Sequence, residues 1–157
     1  MTESIAHLLA QMRAFPGELL ELIEGCDDLE LQRAAAGGGW GPVEIFCHLR
    51  DADSLAEERV QRILSEDDPY IPAVDETLWP IERDYASQNA RAVLDEFDAI
   101  RQHFVTTLEA LTPEQLERRG YHEEHGEQTI RWYINDAIQH DASHRQQLRK
   151  VLGDSED

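Results

Sequence analysis

Basic residues are scarce in this chain: 14 Lys and Arg stand against 33 Asp and Glu, for a net charge of −19. Such a charge repels polyanions, and no basic stripe or aromatic platform opposes it. Nucleic acid and anionic membrane surfaces are therefore excluded as partners. The two cysteines, Cys26 and Cys47, form no CxxC pair. Two thiols cannot build a disulfide framework for a domain of this size, which points to a reducing compartment. The first residues show neither a basic leader nor a long apolar run, so neither a signal peptide nor a membrane span is expected. A soluble cytoplasmic protein is the resulting expectation. There is no internal repeat, and no segment reads as a convincing strand.

What is present is enough for one core. The chain has 157 residues, 41% of them hydrophobic, which suits a single domain over residues 1–153 followed by an acidic tail, 154–157. Four segments carry apolar residues at helical spacing. The first covers about 2–24, through Ile5, Leu8, Leu9, Met12, Phe15, Leu19, Leu20 and Ile23. Pro16 interrupts it, and a proline there predicts a kink or a restart. Residues 29–34 can add a short helical turn. After Gly37-Gly38-Gly39, the dipeptide Gly41-Pro42 opens a second helix to about 66, with proline well placed in its first turn. A third helix runs from about 87 to 110, with Val93, Leu94, Phe97, Ile100, Phe104 and Leu108 on one side. Thr112-Pro113 begins a short turn. The fourth helix spans about 127–152, its stripe running Ile130, Ile134, Ala137, Asp141, His144, Leu148, Val151. Four such stripes make an all-α four-helix bundle. The connection 67–86, rich in Pro, Asp and aromatics, reads either as a functional loop or as a crossover that plugs one end.

Polar residues interrupt the fourth stripe at Asp141 and His144, and local failures of a pattern tend to mark functional sites. His140 and His144 are four apart and so share a helix face. Among seven histidines, that spacing alone does not separate a metal-binding pair from chance. Two further features do. His144 lies on the core stripe, where an unpaired imidazole is costly, and His48 sits near the core side of the second helix at a matching depth. Three protein ligands and an open position are the arrangement of a catalytic metal site. The reading is one divalent ion on His48, His140 and His144. Three imidazoles suit zinc or nickel first, with iron or copper as alternatives. Asp141 is the candidate carboxylate partner, whereas Glu44 and Asp136 read as ordinary helix charges. His122 and His125 either line the site mouth or shape the turn before Gly126. His7 and His103 have no partner in register. Cys47, though next to His48, points about 100° away on a helix and reads as a core residue.

Two blocks of residues carry a family resemblance over most of the chain. One is Trp40-Gly-Pro-Val-Glu-Ile-Phe-Cys-His48-Leu-Arg-Asp-Ala-Asp53. The other is His122-Glu-Glu-His-Gly126-Glu-Gln-Thr129-Ile followed by His140-Asp141-Ala-Ser-His144-Arg-Gln-Gln147-Leu. Together they resemble the DinB-like (YfiT-like) metalloprotein superfamily, in particular its second DinB-type branch. Glu123 stands where relatives commonly have proline. The resemblance implies an up-down-down-up bundle with a long crossover, often dimeric, and metal ligands at His48, His140 and His144. It also implies a metal-dependent S-transferase that uses a low-molecular-weight thiol of the bacillithiol or mycothiol type on a small-molecule substrate. Two rivals stay open. One is a metal-dependent hydrolase, with Asp141 or Glu44 as base and His122 at the mouth. The other is a non-enzymatic, stress-related metal-binding or interaction module.

Overall fold

Ser4 accepts a hydrogen bond from the backbone N–H of His7 at 3.2 Å and starts the first helix, α1, Ile5–Leu22. In the computed structural model, which describes residues 4–35 and 37–153, three of the four long helices begin on such a side-chain cap. A short helix α2, Asp28–Gln32, follows. Helix α3, Pro42–Ser65, begins where the Gly41 N–H donates to Glu44 Oε1 at 3.1 Å. Gly41 has no alternative: a Cβ there would collide with the Arg33 carbonyl oxygen. The crossover carries strand β1, Tyr70–Ile71, and helix α4, Trp79–Glu82. Asn89 caps α5, Ala90–Glu109, and Thr112 caps the short α6, Pro113–Leu116. Strands β2, Arg119–His122, and β3, Gly126–Thr129, precede α7, Ile130–Val151, which Thr129 caps.

Four long helices form the bundle, and the contacts between them give its topology. Arg13 meets Gln102 and Glu109, while Cys26 meets Arg91, so α1 and α5 run antiparallel. Arg50 meets Glu96 and Glu57 meets His103, so α3 and α5 run parallel. His48 meets His140 across α3 and α7, and Arg145 meets Glu18 across α7 and α1. The order is up-down-down-up. Parallel neighbours that follow each other in sequence require a return the length of a helix, about 36 Å for 24 residues. The segment between α3 and α5 supplies it. Its Trp79 and Tyr85 are buried in the core, and the Tyr85 hydroxyl donates to Asp51 at 2.6 Å.

The structure corrects several expectations. Strands do occur: β1 pairs parallel with β2 and β2 pairs antiparallel with β3. At two to four residues they are too short to show alternation. Gly120 in β2 passes so close to Ile63 that a Cβ would meet its side chain at 3.0 Å. This hairpin takes residues expected in the fourth helix, which therefore starts at Ile130. Pro16 lies inside one continuous helix and causes no restart. His103, given no partner in the sequence, reaches Glu57 on α3 at 2.6 Å. On α5, Ile100 is only partly buried and Arg101 takes its place in the core. The acidic tail, 154–157, lies outside the described residues.

Arg101 divides the core in two. Above it lie Phe15, Leu19, Phe46, Phe97 and Leu148; below it lie Met12, Val60, Phe104, Ile130 and Ile134. Arg101 is 1% exposed, and its partners Asp53 and Asp141 are 5% and 3% exposed. Its guanidinium reaches Asp141 at 2.8 and 2.9 Å, Asp53 at 3.0 and 3.1 Å, and the Met12 carbonyl at 3.1 Å. All five donors of the fork are used. Burial alone would lower the Arg101 pKa, but the two carboxylates outweigh it and hold it up. Removing one member of such a network leaves charge buried without a partner. Arg101→Met is therefore expected to lower stability by about 3–5 kcal/mol, read as a fall in the urea midpoint. A midpoint equal to wild type would refute the network's structural role.

Candidate metal centre

Helix α3 presents His48 in its first half, and α7 presents His140 and His144 at and just past its middle. Because these helices run antiparallel, the three rings arrive at the same height. His140 Nε2 lies 3.1 Å from His48 Nε2 and 3.1 Å from His144 Nε2, and all three atoms lie within 4.8 Å of one another. Two imidazole nitrogens on a tetrahedral ion at ~2.0–2.1 Å stand about 3.3 Å apart, so the spacing fits one ion.

The outer nitrogens say the same. Gln147 Oε1 lies 2.7 Å from His144 Nδ1. An amide oxygen only accepts, so Nδ1 carries the ring proton and Nε2 turns a lone pair inward. Glu76 Oε1 lies 3.8 Å from His48 Nδ1 and favours the same tautomer there. Lone pairs facing one another at this distance repel, and a cation relieves them. Burial, then the neighbouring His144, lowers the His48 pKa to about 4. Burial, then His144 and His48, lowers that of His140 to about 3. Burial lowers His144 as well, against the pull of Gln147. All three rings are thus neutral at pH 7, the form that ligates a metal. Trp40 covers the cluster, its ring 5.0 Å from His48 and stacked at 14° on His144.

The other residues singled out in the sequence fall elsewhere. Asp141 gives both oxygens to Arg101 and none of its hydrogen bonds goes to a ring nitrogen. It holds α7 in place one residue from His140. Glu44 is spent on the Gly41 cap. Cys47 is fully buried, with its Sγ 3.9 Å from the Tyr85 carbonyl, and burial pushes its thiol up to about 12. His122 is buried at the wall of a cleft that also reaches His140, Arg59, Glu76, Trp132 and Tyr133. Its Nδ1 accepts the backbone N–H groups of Glu124 and His125 at 3.0 and 3.2 Å. Burial, then Arg59, lowers its pKa, so this ring too is neutral. His122, Glu124 and His125 could also gather round an ion, but Glu124 and His125 are exposed. Glu76, Arg59 and Tyr133 escaped the sequence reading. Glu76 reaches the site only through the path of the crossover, which no periodicity encodes.

The family pattern of the DinB superfamily matches residues 11–148. The chain belongs to this superfamily. It is 23% identical over 153 residues to a protein of Oceanobacillus iheyensis provisionally named a metal-dependent hydrolase, covering 98% of this chain and 88% of that one. A Geobacillus thermodenitrificans protein with the same provisional name is 28% identical over 116 residues, 74% of this chain and 65% of that one. The solved structure of YfiT from Bacillus subtilis, provisionally described as a metal-dependent hydrolase of unusual four-helix bundle topology, superposes with a TM-score of 0.79. It covers 99% of this chain and 94% of YfiT at 24% identity, and it supports the DinB fold assigned above. The chain is a DinB-like protein with a three-histidine cluster suited to a divalent ion.

Elemental analysis of the purified protein is expected to give about one divalent ion per chain, since three imidazoles with an open position make a single site. His48→Ala and His144→Ala are expected to lose it, and His125→Ala to keep it. Retention in both ligand variants would refute the site.

Proposed function

We propose that this DinB protein is a divalent-metal-dependent S-transferase that brings a low-molecular-weight thiol to an electrophilic small molecule in the cleft. The observation that carries this reading is the meeting of three neutral Nε2 atoms at a cleft that reaches His140. Four ligand positions suit such an ion, and three imidazoles leave one for a small reactant. A divalent ion bound there supplies Lewis acidity, which favours the anionic form of a nucleophile at neutral pH.

The surrounding carboxylates favour a thiol over water. A thiol ionises near pH 8.5 and needs little help, whereas water benefits from a base within reach. Among the described residues, no carboxylate oxygen joins the three nitrogens in their cluster. Asp141 and Glu44 are engaged elsewhere, and Asp51 is tied to Arg50, Arg83 and Tyr85. Glu76 faces the outer nitrogen of His48, where it orients the ring. Cys47, beside His48 in the sequence, does not supply the thiol, because it is buried and un-ionised.

Hydrolysis is the second reading. It rests on the relatives' names and on Glu76, whose carboxyl burial holds above its ordinary range on the cleft wall. One pair of assays separates the two. Zinc- or nickel-loaded protein is expected to speed conjugation of bacillithiol or mycothiol to monochlorobimane, and His144→Ala to lose at least about 100-fold. The opposite result would be no thiol-dependent rate beside metal-dependent hydrolysis of p-nitrophenyl acetate that falls in Glu76→Gln. That pattern would replace transfer with hydrolysis.

A further inference from the structure

Arg59 stands apart from the other cations around the cleft. Arg50, Arg83 and Arg101 are each matched by carboxylates. Among the described residues Arg59 has no carboxylate at ion-pair distance, and its hydrogen bond, from Nη2, goes to the Pro72 carbonyl at 3.3 Å. Pro72 follows Ile71, which pairs with His122, so this contact holds the guanidinium at the hairpin end of the cleft. There its charge adds to burial in lowering the His122 pKa and works against burial at Tyr133 on the facing helix. The side chain is only half-buried, and the rest of its five-donor fork is open to a ligand.

The cleft runs between two unlike cationic ends. Arg59 lies three helical turns beyond His48, about 16 Å along α3, and whole turns return to the same face of a helix. Leu49, Ala52, Leu55 and Ala56 line the wall between them, and Ala137 of α7 adds to this apolar bed. Sites that bind small molecules combine such a bed with a few placed polar groups. With the divalent ion in place the charges balance. Asp53 and Asp141 exceed Arg101 by one negative charge, Glu76 and Asp136 add two more, and the ion with Arg59 supplies three positive. An anionic group is therefore not turned away, and Arg59 is the cation without a carboxylate of its own.

We infer that Arg59 is a specificity-determining residue that donates to a carboxylate on the far arm of the thiol, whose sulfur lies at the three-histidine end of the cleft. A guanidinium fork matches the two oxygens of a carboxylate. The carboxylate belongs to the thiol because the thiol is the reactant fixed at the other end. This inference deepens the transfer reading and rests on it, but binding at Arg59 does not require turnover.

Isothermal titration of the zinc-loaded protein with ω-mercaptooctanoate and with ω-mercaptooctanol reads the carboxylate's contribution without any reaction. The acid is expected to bind wild type about tenfold tighter than the alcohol. Arg59→Gln is expected to remove that preference, to leave the affinity for the alcohol unchanged and to keep the metal content of wild type. Arg59→Lys is expected to restore part of the preference. Equal affinity for the two thiols in wild type, an undiminished preference in Arg59→Gln, or equal losses for acid and alcohol in that variant would overturn the inference. No binding of either thiol would overturn the transfer reading together with it. A preference lost in Arg59→Gln, beside an absence of conjugation to monochlorobimane, would count against the reaction alone.

Discussion

The rest of the structure depends on a guanidinium buried where a bundle of this kind would ordinarily place a leucine. Arg101 joins α5 to α3 through Asp53, to α7 through Asp141 and to α1 through the Met12 carbonyl. All four long helices thus meet at one level. Apolar packing tolerates sliding, because one methylene replaces another. A five-donor fork with fixed acceptors does not, so the network sets the relative height of the helices. An ionic layer of this kind is a poor source of net stability compared with apolar packing. Its value here is register, and register is what a metal site needs.

The consequence is visible one residue away. Asp141 is held by Arg101, and His140 immediately precedes it on the same helix. Asp53 is held from the other side, five residues after His48 on α3. With both helices pinned at that height, three imidazoles meet without help from a loop. Trp40, Gln147 and Glu76 then orient the rings from outside. Positioning of ligands by supporting side chains is the general condition for a well-formed metal centre. The parallel pairing of α3 and α5 has a second effect. It forces the long crossover to return along the bundle, and that return brings Glu76 to His48 and β1 to the hairpin that carries His122.

Much of this was legible in the residues. The four stripes gave the helices, the caps at Gly41-Pro42 and Thr112-Pro113 gave starts, and the break in the fourth stripe at Asp141 and His144 drew attention to the right turn of helix. Three things were not legible. Arg101 falls at core spacing between Phe97 and Phe104, but a charged residue there reads as surface unless its partners are known. The partners, Asp53 and Asp141, are 48 and 40 residues away in sequence. The strands are too short to alternate, and hydrogen bonding to one another, not side-chain pattern, defines them. Glu76 and Arg59 matter through where the chain takes them. For Asp141, the stripe suggested a carboxylate partner for the ligand histidines, whereas both of its oxygens go to the Arg101 guanidinium.

X-ray absorption at the metal edge of the purified protein tests the central claim most directly. The account expects three imidazole nitrogens at about 2.0–2.1 Å with an oxygen completing the shell, and no sulfur. A shell with fewer than three imidazoles, or one containing the Cys47 sulfur, would contradict it.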